Sequence, residues 1–486
     1  MRVSERAVFG IGSHDAAVEA ITASRRAVGA IVRVSACAVL LCAVASAGSL
    51  AETLPDALVR TYQVNPQLNA ERARLRATDE GVSQALAGYR PQVTIDLSAG
   101  LQGVRNLLPV GDPQSATLKP WSTGVTVKQS LFNGLKTTNT VRQAEAQVRS
   151  GRETLRTTEQ SVLLDAVTVY MSVLANQSLV EAQRAALTSL RETLDITRKR
   201  YDAGDVTPTD VAQAEARLSR GLADLNAAEV SLAVSQATYA QVVGSPPGRL
   251  APAQPVDRLL PPRREDALAL SRREHPSIAA ATFDLDAAQH AVNIAESGLY
   301  PNVSVQGNVS RNSQTDTTLG TTRTDSASVI GQASVPVYDG GLAAAQVRQS
   351  KETLAQTRIL LDRVRTQAET AVAAAWVTNE GSRVALTASE SEVRAASVAL
   401  AGVQKEAQAG QRTTLDVLNS QQDLTAARAR LINAQKDRVI ASYTLLSAIG
   451  RLDHARLGLS TPDYDATVHY QQVRDAWRGI RTPSGQ

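Results

Sequence analysis

The chain is written twice. "DALVRTYQVNP" (Asp56 to Pro66) matches "DALALSRREHP" (Asp266 to Pro276) at an offset of 210 residues. Pro91 in "YRPQVTI" matches Pro301 in "LYPNVSV" at the same offset. From "LFNG" (Leu131 to Gly134) and "VYDG" (Val337 to Gly340) onward the offset is 206, and Gly244 and Gly450 keep it. The four-residue difference falls between about 100 and 125, in a loop. A tandem duplication restricts the fold to two copies of one supersecondary unit. Its seams divide the chain into a leader with signal peptide over 1–51, cut after Ala47 or Ala51, and a first repeat over 52–244. A proline-rich linker over 245–262 follows, then a second repeat over 263–450 and a polar tail over 451–486.

Each half reads as helix, strand, loop, strand, long helix, turn, helix. The strands alternate: Val93, Ile95, Leu97 and Ala99 share one side, as do Val303, Val305 and Val309. Their partners run from Trp121 to Phe132 and from Asp325 to Val337. Tyr89, Trp121, Phe132, Tyr300 and Tyr338 sit at strand ends, where outer-membrane strands of about 9–11 residues carry interfacial aromatics. The alternative is a small soluble sandwich, but two long hairpins with one polar face favour membrane strands; four of these do not close a barrel, which takes at least eight, so the barrel would be shared between chains. Two chains give eight strands and a filled interior. Three give twelve and leave a lumen; the pattern does not choose between them.

The helices are longer than a globular domain needs. Seven-residue steps run through Val141, Val148, Leu155, Val162 and Val169, then after eleven residues through Val180, Leu187, Leu194 and Tyr201. The second half repeats the series as Val347, Leu354, Leu361, Ala368 and Ala375, then Leu386, Val393, Leu400 and Ala407. A heptad imposes a left-handed supercoil and an inserted four residues unwinds it locally, so both helices change supercoiling at mid-length.

Two matching tips end these helices, "AGDVTPTDV" and "AGQRTTLDV". Gly204 and Gly410 suit the left-handed residue that stops a helix. Thr207 with Asp210, and Thr413 with Asp416, form capping boxes for the returning helices. Each motif is the tip of an antiparallel hairpin. The aspartates serve as caps alone or, if symmetry gathers the tips on an axis, as a ring that filters cations.

Aromatics are only 3% of the chain, too few for a thick core, and the net charge of +4 comes from arginines interleaved with acids. Nothing resembles a nucleic-acid footprint. Cys37 and Cys42 both lie in the apolar part of the leader, so a processed chain has no thiol chemistry. His275, His290, His454 and His469 lack metal-ligand spacing, and "PVYDGG" lacks the ending of a phosphate loop. No enzyme and no cofactor is expected.

The duplication, the four strands, the paired long helices, "PVYDGG" and "AGQRTTLDVLNSQQDLTAAR" together resemble the TolC family of outer-membrane efflux and secretion channels, from about Glu52 to Leu452. The resemblance implies a mainly α fold with β. It also implies a homotrimer with a twelve-stranded transmembrane β-barrel above a long α-helical periplasmic barrel. Its partners would be a periplasmic adaptor (membrane fusion) protein and an inner-membrane transporter of ABC or RND type. Asp416 falls on the acid of the periplasmic constriction; a second acid one turn later is Asn419 here, which implies a weaker cation block. Arg412 falls on the arginine that clamps the tip, against Asp210 and Thr209, while the clamp's tyrosine is replaced by Ala407. Gly204, Gly410, Thr207 and Thr413 would lie where an adaptor docks. The tail "STPDYDATVHYQQVRDAWRG" resembles the type I secretion branch. The rival reading is a periplasmic coiled-coil adaptor or scaffold without a pore.

Overall fold

The computed structural model describes residues 51–106, 114–316 and 320–483. The leader and signal peptide expected over 1–51 lie outside these, apart from Ala51. Among the described residues, Ala51, Glu52 and Gly248–Ala251 form one small unit, joined by a parallel bridge from Glu52 to Leu250. The remainder forms a second, described from here on.

Each half opens with two short helices: α1 (Leu54–Val64) and α2 (Pro66–Leu86), then α5 (Arg264–Glu274) and α6 (Pro276–Glu296). The α1–α2 and α5–α6 junctions are built alike. Asn65 Oδ1 accepts from the Gln67 and Leu68 amides, and His275 Nδ1 accepts from the Ser277 amide at 3.2 Å. A proline follows each cap at the first helical position, where its missing N–H costs nothing. His275 is therefore a helix cap, and burial pushes its imidazole pKa down.

The long helices are α3 (Lys136–Asp202) and α7 (Leu342–Gln408), each of 67 residues. At 1.5 Å per residue each is on the order of 100 Å long. The heptad seam is buried on both sides of the eleven-residue step in α3, but only before it in α7, where Leu386, Val393, Leu400 and Ala407 are half-buried. Val148, Leu155, Val162, Val180, Leu187 and Leu194 are buried in α3, and Val347, Leu361, Ala368 and Ala375 in α7. Tyr201, at the end of the series, is exposed. The returning helices are α4 (Pro208–Val243) and α8 (Thr414–Ala448). At the base of the second hairpin Val372, Ala375, Leu445 and Ile449 pack with Ala267 of α5. At the corresponding place in the first half, Ala57, Ala166, Tyr239 and Val243 are all buried.

The strands are β1 (Gln92–Ala99), β2 (Gln102–Asn106), β3 (Gln114–Asn133), β4 (Asn302–Asp316) and β5 (Gly320–Ser334). They form one antiparallel sheet in the order β1–β3–β4–β5, with β2 continuing the β1 edge along β3. The register aligns the alternation across all four rows. Ile95 faces Val125, Val125 faces Val309 and Val309 faces Ala327. One row away lie Val93, Val127, Gly307 and Val329. That face is apolar and uncovered, with Ile95 70% and Val329 80% exposed. The opposite face carries Thr94, Thr126, Asn308 and Ser328.

Three of these strands outrun the spans that alternation predicts, at 20 residues for β3 and 15 each for β4 and β5. Backbone pairing does not need apolar side chains, so the ladder continues through Ser, Thr and Gln beyond Trp121. On that extension Arg311 and Arg323 both pair with Asp325, at 2.6 and 3.1 Å. β2 lies in a segment whose composition reads as loop. At the other end β5 stops at Ser334, before Pro336, which has no N–H to offer a ladder. Two of the aromatics expected at strand ends are therefore elsewhere: Tyr338 lies in the exposed turn leading to α7, and Trp121 lies inside the lengthened β3.

Beyond Gly450 the tail is not merely polar. Helix α9 (Ala466–Val473) packs on α2, burying Val473.

Candidate functional site: the paired hairpin tips

Both long helices end the same way. The Gly204 amide donates to the Tyr201 carbonyl and the Asp205 amide to that of Arg200, each at 2.9 Å. Gly410 and Gln411 repeat this on Ala407 and Glu406, at 3.1 and 2.9 Å. This is the Schellman pattern, which needs a left-handed residue, and φ is +82° at Gly204 and +75° at Gly410. Three residues further, Thr207 donates from its amide and hydroxyl to Asp210 Oδ2, at 2.9 and 2.8 Å. Thr413 does the same to Asp416 Oδ2, at 3.0 and 2.8 Å. The amides of Asp210 and Asp416 donate back to the threonine hydroxyls, completing both capping boxes.

The threonine amide is the main cause holding each aspartate below the usual carboxylate range, with the hydroxyl second; Arg200 adds to it at Asp210 and Arg412 at Asp416. Both side chains are fixed, charged acceptors at helix N-termini.

Within one chain Arg412 does not meet Asp210. Its Nε donates to Glu406 Oε2 at 2.9 Å, on its own hairpin. Asp210 is occupied by Thr207, and Thr209 is exposed. The two hairpins are joined elsewhere. Arg217 of α4 donates from Nη2 to Asn419 Oδ1 at 3.0 Å and from Nη1 to Gln422 Oε1. Gln421 Nε2 donates to Ser189 Oγ and Thr193 Oγ1 of α3, both at 3.0 Å. Beneath these bonds Leu194, Ala214 and Leu418 form a small apolar core. Arg217, Gln421 and Gln422 are absent from the sequence-derived site. The signal for them was the polar run "NSQQD" at 419–423, within a helix whose seam needs only Leu418 and Leu424.

At the other end, Tyr89, Trp121, Phe132 and Tyr300 are all exposed beside the apolar sheet face, and the Tyr89 hydroxyl donates to Thr138 Oγ1 at 2.7 Å. Among the described residues no cluster of His, Cys, Asp and Glu could hold a metal ion.

The profile of the family described as "Outer membrane efflux protein" matches residues 57–245 and 267–451. "Outer membrane efflux protein BepC" of Brucella suis biovar 1 (strain 1330) is 40% identical over 455 residues, covering 93% of this chain and 97% of that protein. "Outer membrane protein TolC" of Vibrio cholerae serotype O1 is 27% identical over 417 residues, covering 83% and 91%. The Campylobacter jejuni CmeC outer membrane channel has the same fold, with a TM-score of 0.74 over 87% of this chain and 89% of that one, at 14% identity.

Proposed function

Because the chain belongs to the outer membrane efflux protein family and is an outer-membrane channel of TolC type, we propose that it works as a homotrimer, the exit duct of a tripartite export system. Channels of this family are passive conduits, not enzymes. Three sheets join edge to edge into a twelve-stranded barrel, and three sets of long helices form a periplasmic tunnel below it. A periplasmic adaptor docks at the tips, and an inner-membrane transporter of ABC or RND type supplies the energy. The chain reaches the membrane by signal-peptide export.

The observation that carries this reading is the sheet: an apolar band running across all four rows from Ile95 to Ala327, and two open edges, β1 with β2 on one side and β5 on the other. An apolar face without cover suits lipid, and open edges in a membrane must pair with something. A second feature agrees. On α7, Val377, Val384 and Val398 recur at multiples of seven and are 64–73% exposed. A neighbouring copy would cover such a stripe.

The tips are the gate. Three copies of Asp416 line the constriction, and the ring is less negative than one with a second acid because Asn419 follows. Arg412 serves as a clamp between neighbouring tips, reaching Asp210 and Thr209 in the assembly. The name of the relative at 40% identity favours efflux as a cargo class, while the tail resembles the secretion branch.

The test is the protein mass of the detergent-extracted particle from outer membranes, by light scattering corrected for detergent. Three chains are expected. A soluble monomer in the periplasmic fraction would overturn the channel and leave a scaffold. Separately, Arg412→Ser should raise resting pore conductance in planar bilayers; an unchanged conductance would remove Arg412 from the clamp.

A further inference from the structure

A cavity of about 370 Å³ lies between α1, α2, α3 and the tail that follows Gly450. Four arginines line it: Arg72, Arg152, Arg156 and Arg456. The acids around it already have partners. Glu159 Oε1 accepts from the His454 amide at 2.9 Å and lies 2.7 Å from its Nδ1, while Asp463 lies 3.1 Å from its Nε2. Asp453 accepts from the Arg456 amide at 2.7 Å, and Arg456 also reaches Glu274. Arg156 pairs with Glu153 at 2.8 Å.

Arg72 and Arg152 make no close ion pair, although Asp79 and Asp465 feel Arg152 at longer range and the Tyr62 side chain shares Arg72. Among the described residues neither forms an ion pair within 4.0 Å, and each has a buried Nε with no acceptor. Arg72 is only 9% exposed. Its guanidinium sits 4.5 Å from the Tyr62 ring centroid and 5.0 Å from that of Tyr464, and its Nη1 is spent on Asn69. Arg152 lies against Tyr470 at 5.2 Å. The aromatic rings hold both guanidinium groups by their faces and leave edge N–H groups for an acceptor. A buried cation with an unmet donor is costly, and the planar arginine edge matches carboxylate and phosphate oxygens.

We propose that this cavity is a binding site for a small oxyanion, a phosphate or a carboxylate, held by Arg72 and Arg152. Tyr464 and Ala466 of the tail form part of its wall. An occupant would therefore bridge α2 and α3 to the tail and hold the tail down.

The test uses the full-length protein purified in detergent, titrated separately with inorganic phosphate and with citrate, sodium chloride keeping ionic strength constant. Saturable binding of either by calorimetry supports the site, and the anion that binds names the chemistry. Arg72→Gln with Arg152→Gln should abolish it while particle mass and helical circular dichroism persist. Limited trypsinolysis of the unaltered protein gives an independent readout at Arg474, which is exposed in the tail. At ten times the dissociation constant, cleavage there should slow about tenfold if it requires tail release. Binding of neither anion, binding unchanged in the double variant, or an unchanged cleavage rate would each overturn the proposal.

Discussion

The two long helices have the same length and the same interrupted heptad, yet they do different jobs. α3 buries twenty-one residues and α7 seven. α3 packs against α1, α2, α4, α6 and α8, whereas α7 packs chiefly on α6 and its hairpin partner α8, and less on α5. The duplicated pattern specifies the helix and its inner seam. What lies off the seam has diverged: Leu163, Ala166, Val167 and Tyr170 are fully buried in α3, while Val377, Val384 and Val398 of α7 stand uncovered. Two identical halves would present identical faces. In the proposed trimer each copy would meet the next head to tail, and unequal halves supply the two different faces such a contact needs.

That contrast is breakable, and the largest effect should come from placing a charge on each helix. Val167→Asp puts an unpaired carboxylate at a position with 0% exposure and should prevent folding, since its cost of several kcal/mol rivals the stability of a whole domain. Val384→Asp should leave the chain's own helices intact by circular dichroism and lower the yield of the three-chain particle. Normal assembly of Val384→Asp would mean the α7 stripe is not an interface.

The hairpin bases offer the next comparison. Tyr239 of α4 and Leu445 of α8 occupy equivalent places, and both are 0% exposed. Truncation to alanine should cost about 3–5 kcal/mol at Tyr239 and about 2–5 at Leu445, read from denaturant midpoints. A smaller loss at Tyr239 would show that the first half tolerates a cavity better.

Acid separates the halves as well. The Glu274 carboxyl is held down to about 2, chiefly by its bond to Arg273 and then by Arg451, against a partial burial that opposes it. A depressed carboxylate stabilises the fold above its ordinary value of 4.5, and that contribution is lost as pH falls from there toward 2. The matching position in the first half is Val64, which cannot titrate. Glu274→Gln should therefore flatten stability over that pH window, and Val64→Ala should not.

The smallest effects lie at turns and tips. Leu135 begins α3 with φ at +65°, where the second repeat places Gly341 at +91°. Leu135→Gly should stabilise the first half by about 1 kcal/mol, because a side chain is strained there. At the tips, Arg217→Ala removes the bonds to Asn419 and Gln422, worth about 1 kcal/mol at an exposed site, or roughly a fivefold change in an open population. Single-channel recording would show it as added opening. If Arg412→Ser opens the pore and Arg217→Ala does not, the contact between copies outranks the contact within one.

Much of this architecture is legible before any coordinates. The heptads placed Val148 to Leu194 correctly because packing two helices demands a fixed repeat, and the tips were readable because Gly, Thr and Asp act through local backbone geometry. Long-range polar contacts leave no such trace. Arg217 finds Asn419 across 202 residues, and nothing in its own neighbourhood marks it out. Helix α9 was missed for a related reason: "ATVHYQQV" is short and polar, and Val473 acquires meaning only when α2 lies beneath it. Strand length was underestimated because alternation reports where lipid-like surface ends, not where backbone pairing ends.

The sheet's free margins also constrain how such a protein is made. The backbone groups along the outer side of β5 are as ready to pair with a stray polypeptide as with a sister chain, because a hydrogen-bond ladder carries almost no identity of its own. Correct partnering must then come from the helices, whose side chains do discriminate. A chain that met its sisters strand first would risk irreversible clumping in transit. For the proposed trimer this predicts an order of assembly, in which the helical bodies associate first and the strands seal afterwards.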